Sequence, residues 1–255
     1  MATPDPNAPL AGWQVLVLRP AAGSRALRER LARLGARVVP VPALRIAAAE
    51  DPRAADAVLA QALAAPLVLF TSPAAVAAAR RLPAWRSGPA GTVLAVGPGT
   101  ARSLARAGVA GARVPASSDS EGLLAMPELQ ALAGTAVGLV TAPGGRGLLA
   151  PALAARGAEL RRADVYRRLP PRFDRRHRAA LATLGPRVAL LLSSAEALDH
   201  FRAGLAPEAT AVLGRAEVVA ASARLAARAR EAGAHRIRVA ASAAPADLVA
   251  ALLGA

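Results

Sequence analysis

The chain has no cysteine and no lysine, and its aromatic residues amount to two Trp, one Tyr and three Phe among 255 residues. Without cysteine there are no disulfides and no thiolate zinc sites. The three histidines, His177, His200 and His235, lie far apart and share no metal-ligand spacing, so no metal is expected. No apolar run approaches the roughly 18 residues of a membrane span. The first eleven residues are rich in Pro and Ala and lack both the charged n-region and the apolar stretch of a signal peptide. They read as a disordered lead, and the chain as a cytoplasmic protein without membrane contact.

The net charge is +15, carried wholly by arginine. Abundant Ala, Gly, Pro and Arg reflect a GC-rich coding bias, which explains arginine in place of lysine. It does not explain the excess of cations over acids, which favours an anionic partner. Nucleic acid is one option; against it, aromatics are scarce and the arginines are dispersed along helices instead of clustered in a stripe. A small polyanion bound between domains suits the pattern equally well.

A strand-and-turn signature occurs twice. Val68-Leu69-Phe70-Thr71-Ser72 and Leu190-Leu191-Leu192-Ser193-Ser194 are apolar runs ending in a hydroxyl pair, 122 positions apart. Val15 to Leu18, followed by a helix ending at Gly35, matches Val137 to Val140, followed by a helix ending at Gly157, at the same offset. Val93 to Gly108 matches Val218 to Gly233, and Val114 to Ser117 matches Val239 to Ser242, each 125 apart. The chain is two copies of one α/β unit. The piece that ends one copy begins the other, which implies insertion of one domain into its twin. We expect residues 1–41 and 169–255 to form a discontinuous α/β domain and residues 42–168 an inserted one. Crossings are expected at Val38 to Ala43 and Val165 to Pro171, which proline spacing keeps extended as a two-strand hinge. Continuous apolar strands alternating with amphipathic helices predict doubly wound parallel sheets.

Such sheets bind ligands beyond the carboxyl ends of their strands. Those ends carry small polar loops in both copies. Arg19, Ser193, Ser194, Ser222 and Arg224 stand in one, and Ser72, Gly97, Thr100, Ser118 and Arg146 in the other. Facing each other across a hinge, they would line a cleft for a large, flexible, acidic ligand. Gly97 to Arg102 is not a dinucleotide fingerprint, because Arg102 replaces the third glycine, and Ala142 to Gly147 lacks the Gly-Lys-Ser of a phosphate loop. Thr100 reads either as ordinary capping or as an anion-binding hydroxyl at a helix start. Ser118 and Glu121 have capping-box spacing.

Four motifs in order, Phe70-Thr71-Ser72-Pro73-Ala74-Ala75-Val76, Ala95-Val96-Gly97-Pro98-Gly99-Thr100-Ala101, Ser120-Glu121-Gly122-Leu123 and Val165-Tyr166-Arg167-Arg168, resemble the uroporphyrinogen-III synthase family. The resemblance spans about Gly12 to Leu253. It implies a cofactor-free lyase of haem biosynthesis that cyclises hydroxymethylbilane to uroporphyrinogen III. The terminal hydroxyl leaves, ring D is attacked at its substituted carbon, and a spiro intermediate recloses with that ring inverted. The resemblance also implies Tyr166 as the proton or hydrogen-bond donor to the leaving hydroxyl. Thr100, Ser72 and Ser193 are implied to hold substrate carboxylates. Some members repeat Gly-x-x-Thr-Ala in the C-terminal half; here Ala221-Ser222-Ala223-Arg224 stands in its place. Hand-over from hydroxymethylbilane synthase is a further expectation. The alternative is a non-catalytic two-lobe binding protein for a small polyanion.

Overall fold

The computed structural model describes residues 7–144 and 147–254. Among them are eleven strands: β1 (Gln14–Val17), β2 (Arg37–Pro40), β3 (Arg45–Ala48), β4 (Leu67–Phe70), β5 (Thr92–Ala95), β6 (Ala136–Thr141), β7 (Glu159–Asp164), β8 (Tyr166–Leu169), β9 (Val188–Leu192), β10 (Glu217–Ala220) and β11 (Arg236–Val239). Two compact units result. One joins the chain up to Arg45 with the chain from Leu169 onward; the other is Ile46–Arg168.

The discontinuous unit has a five-stranded sheet in the order β11-β10-β9-β1-β2, parallel throughout. Its apolar runs are continuous because both faces are covered. Leu16, Leu18, Leu190, Leu192 and Val218 face a core built with the helices Ala195–Gly204, Ala206–Arg215 and Ala223–Glu231. Val15, Val17, Leu191 and Val219 face the opposite core, with the helices Ala21–Arg33 and Pro245–Leu253. Alternation within each strand thus divides one apolar run between two cores.

The contiguous unit has the sheet β5-β4-β6-β7, also parallel, extended by a single bridge from Leu94 to Arg113. Val68, Phe70 and Val140 pack on one face, with the helices Pro52–Leu63, Pro73–Ala79 and Pro98–Arg106 nearby. Leu69, Leu94 and Leu139 pack on the other, against the helices Ser120–Leu124 and Leu149–Ala155. Asp51 starts the helix Pro52–Leu63 by accepting from the backbone N–H groups of Arg53 and Ala54 at 2.9 and 3.0 Å. Gly138 in β6 lets that helix approach: a Cβ there would lie 2.1 Å from the Ala62 carbonyl oxygen.

The duplication is visible in the strand orders. Read outward from β2 and from β7, β2-β1-β9-β10-β11 matches β7-β6-β4-β5 followed by the bridge at Arg113. The helices before Gly35 and Gly157 end alike, each glycine taking the left-handed turn, with φ of 86° and 80°.

Three expectations need correction. Residues 7–11 are not a disordered lead: Leu10 is buried with Val15, Leu27 and Leu31, and its N–H donates to the Leu34 carbonyl at 2.9 Å. The outbound crossing falls at Arg45 and Ile46, later than Val38 to Ala43. Arg37–Pro40 is a strand of the sheet, and Val41 and Ala43 continue it, donating to Val17 and Leu18 at 3.1 and 2.9 Å. The prolines keep this segment extended, and its apolar residues draw it into the core. Finally, Asp119 starts the helix Ser120–Leu124, accepting from Gly122 N–H at 2.7 Å, in place of the Ser118 capping box. Its carboxylate also accepts from the Ser117 hydroxyl at 2.8 Å. The return crossing lies at Arg168 and Leu169, and β8 pairs with β3 in a two-stranded sheet of their own.

Candidate active site

In an open parallel sheet, the crevice for a ligand lies where successive connections diverge to opposite sides. In the contiguous unit the chain runs from β4 outward to β5, then returns to β6 on the other flank of β4. The loops after β4 and β6 therefore separate, and a cavity of about 330 Å³ lies there. Thr71 and Ser72 line it from the end of β4, and Thr141, Ala142 and Gly144 from the end of β6. Leu139 and Leu149 supply apolar wall. Arg162 arrives from β7, whose register sets it beside Leu139. Tyr166 and Arg168 arrive from β8.

Hydroxyls organise the polar wall. The Thr71 hydroxyl donates across the divergence point to Thr141 Oγ1 at 2.9 Å. Ser72 starts the helix Pro73–Ala79 by accepting from Ala75 N–H at 3.0 Å, and its Oγ lies 3.2 Å from the Tyr166 hydroxyl. The Tyr166 ring is buried, 5% exposed, among the core residues that include Phe70, Val140 and Val165. Its hydroxyl meets Ser72, and both residues line the cavity. Two cations complete the lining. Arg168 donates to the Pro143 carbonyl at 2.9 Å, and Gly144, with φ of 80°, leaves room for that guanidinium. Arg162 pairs with Asp164 at 3.1 Å.

The discontinuous unit has its own divergence point, between β1 and β9. There Arg19 and Ser193 stand where Thr141 and Thr71 stand in the twin, each 122 positions away. Arg19 Nε donates to Ser193 Oγ at 3.0 Å, and a terminal nitrogen of the same guanidinium donates to the Ala243 carbonyl. Burial lowers the Arg19 pKa from the ordinary arginine value, yet a guanidinium stays charged at neutral pH. Arg19 is thus a partly buried cation held by neutral oxygens.

The other sequence-derived candidates divide by unit. Ser72 and Tyr166 share the cavity. Gly97 and Ser118 lie against each other near it in sequence but not on its wall; a Cβ on Gly97 would be 2.8 Å from Ser118 Oγ. Thr100 is buried, 2% exposed, in the first turn of Pro98–Arg106, and does not line the cavity. Ser194 and Ser222 accept from Ala197 and Leu225 N–H as the starts of their helices, and Arg224 is exposed one residue inside the second. Arg146 lies outside the described residues. Thr141, Arg162 and Arg168 were not singled out as site residues from the sequence. For Thr141 a signal existed in its equivalence to Arg19.

Among the described residues no group of three or more His, Cys, Asp or Glu could hold a metal ion, and no helix is long and apolar enough to cross a membrane.

Comparison with known proteins agrees with this architecture. A solved uroporphyrinogen-III synthetase from Helicobacter pylori aligns with a TM-score of 0.61 at 15% identity, covering 94% of this chain and 98% of that one. A mutant uroporphyrinogen III synthase from the extremely thermophilic bacterium Thermus thermophilus aligns with a TM-score of 0.58 at 23% identity, covering 92% and 95%. These two show a shared fold. In sequence, the uroporphyrinogen-III synthase of Salmonella typhimurium is 33% identical over 235 residues, covering 89% of this chain and 94% of the relative. Residues 25–250 match the family described as Uroporphyrinogen-III synthase HemD. With nearly the whole length matched and the doubled α/β fold in common, the chain belongs to the uroporphyrinogen-III synthase family.

Proposed function

We propose that the protein is a cytoplasmic lyase that converts hydroxymethylbilane to uroporphyrinogen III without a cofactor, inverting ring D through a spiro intermediate. The observation that carries this reading is the buried tyrosine whose hydroxyl meets Ser72 at the wall of a polar cavity flanked by arginines. At about 330 Å³ the cavity is near the lower end of ligand sites and suits part of a tetrapyrrole, not all of it.

Each residue then has a task. The Tyr166 hydroxyl gives a proton or hydrogen bond to the departing hydroxyl, which leaves as water with the C–O bonding pair. The cation left behind is attacked by ring D. Arg162 and Arg168 hold substrate carboxylates. Arg168 is half-buried, which strengthens an arginine–carboxylate contact that would be weak on the surface. Ring closure without inversion needs little help, so the protein acts largely by holding a geometry in which the spiro route is the reachable one. A bilane this prone to close spontaneously favours direct hand-over from hydroxymethylbilane synthase.

The test is incubation with hydroxymethylbilane and separation of the isomers. Type III product is expected; type I alone, at the rate seen without protein, would refute the reading. Within it, Arg168→Met should raise KM about tenfold and change kcat much less. A carboxylate remote from the reacting carbon is held alike in ground and transition states. Equal losses in kcat and kcat/KM would instead place Arg168 at the reacting centre.

A further inference from the structure

Ser72 has two roles that the geometry separates. It starts a helix, as Ser194 does 122 positions later. Both serine oxygens accept from the N–H three residues on, at 3.0 Å for Ser72 and 3.3 Å for Ser194. The chain has one tyrosine, so a phenol partner exists for Ser72 and for no other serine. Capping therefore accounts for what the two serines share and leaves the contact with Tyr166 unexplained.

Either hydroxyl could donate in that contact, and the two directions leave different protons for the cavity. A serine hydroxyl offers one proton and two lone pairs. Ala75 N–H takes one lone pair. If the tyrosine donated to Ser72, its single proton would be spent within the protein. If Ser72 donates, the phenol proton stays free for the cavity, and the phenolate formed when it leaves still has a donor in place.

We propose that Ser72 is a positioning residue that donates its hydroxyl proton to Tyr166, aims the phenol proton into the cavity and stabilises the phenolate during departure of the substrate hydroxyl. This deepens the proposed function and rests on Tyr166 as the donor. The proton balance closes. One proton passes from Tyr166 to the leaving hydroxyl, and the phenolate recovers one when ring D loses its α-hydrogen on regaining aromaticity. Ser72 keeps its own proton throughout. Its effect is a charge-assisted hydrogen bond that strengthens as the phenolate forms, so it should appear in kcat and not in KM.

The single tyrosine makes the test clean. Protein labelled with carbon-13 at the tyrosine Cζ gives one resonance, that of Tyr166. The variants are Ser72→Ala, Ser72→Thr and Asp51→Ala, the last removing a helix start in the same unit but away from the cavity. Ser72→Ala should move the resonance and lower kcat about tenfold, the size of one hydrogen bond, with KM within about twofold. Ser72→Thr, which keeps the hydroxyl, should restore both. Asp51→Ala should lower the melting temperature by a similar amount and alter neither. In a Tyr166→Phe background, Ser72→Ala should cost no further turnover. An unmoved resonance with wild-type kcat overturns the proposal. So does a rise in KM at constant kcat, which would make Ser72 a direct substrate ligand, or an equal kcat loss in Asp51→Ala. Full activity of Tyr166→Phe would instead remove the role of Tyr166 itself, so the two failures are distinguishable.

Discussion

Tyr166→Phe is expected to lower single-turnover conversion of hydroxymethylbilane by roughly 10²-fold, the low end for loss of a general acid. The substitution removes one oxygen. The ring remains, packed with Phe70, Val140 and Val165, so the core keeps its volume and the melting temperature should hold. KM should also hold, because the hydroxyl matters most once the C–O bond has begun to break. As turnover slows, uncatalysed closure competes and the share of type I product should rise. Both quantities come from quenched reactions with the isomers resolved. Wild-type conversion without additional type I product would reduce Tyr166 to a packing residue.

Gly138→Ala should be among the most damaging small substitutions in the contiguous unit, alongside Gly91→Ala and Gly122→Ala, where a Cβ would also lie 2.1 Å from a backbone oxygen. Replacing glycine by alanine usually stabilises, by about 0.4–1 kcal/mol, because the unfolded chain loses freedom. At Gly138 a steric term opposes this. The new methyl would lie 2.1 Å from the Ala62 carbonyl oxygen and 2.8 Å from its carbon, atoms fixed in a helix backbone that cannot rotate away. Overpacking of this kind costs about 1–3 kcal/mol and occasionally more. Since helix and sheet must part, the upper end is expected, lowering the melting temperature by roughly 10 °C. Gly23→Ala is the control. A Cβ there meets nothing within 4 Å, and the same exchange should gain up to about 1 kcal/mol. Equal melting temperatures for Gly138→Ala and the parent would show that the helix yields.

How much of this was legible in the chain depends on the range of the interaction. Val15 to Leu18 and Val188 to Leu192 declare themselves as strands because two faces must be covered, and a doubled pattern at one offset gives away the pairing of pieces. Leu10 did not declare itself. One leucine among prolines and alanines looks like a solvated lead, and only its bond to Leu34 and its place in the core show otherwise. The strand around Arg113 is a single bridge, too short to carry any periodicity. Site residues were harder still. A serine that starts a helix and a serine that meets a ligand share the same local spacing, so Ser72, Ser194 and Ser222 look alike in sequence. They differ in what lies opposite, and only Ser72 has a phenol there. Arg162 owes its place to the register of β7 on β6, which no local pattern encodes.

The pairing of Leu16 with Leu190 has a consequence for how the chain acquires its structure. As the protein is synthesised, β1 and β2 emerge early, while β9, the central strand of their sheet, follows only after the whole of Ile46–Arg168. That intervening stretch contains all the strands of its own sheet. It can therefore condense while β1 still presents Val15 and Leu16 to water, and closing so long a loop delays its twin further. Two units of similar strand order should thus mature at different times. In pulse-labelled hydrogen exchange during refolding, amides of β4 and β6 should gain protection before those of β1 and β9. Simultaneous protection would mean that the interruption costs nothing. If the order holds, early exposure falls on the very strand that carries Arg19 at its end, so the newborn chain is most exposed to misassociation while that half waits for its missing partner.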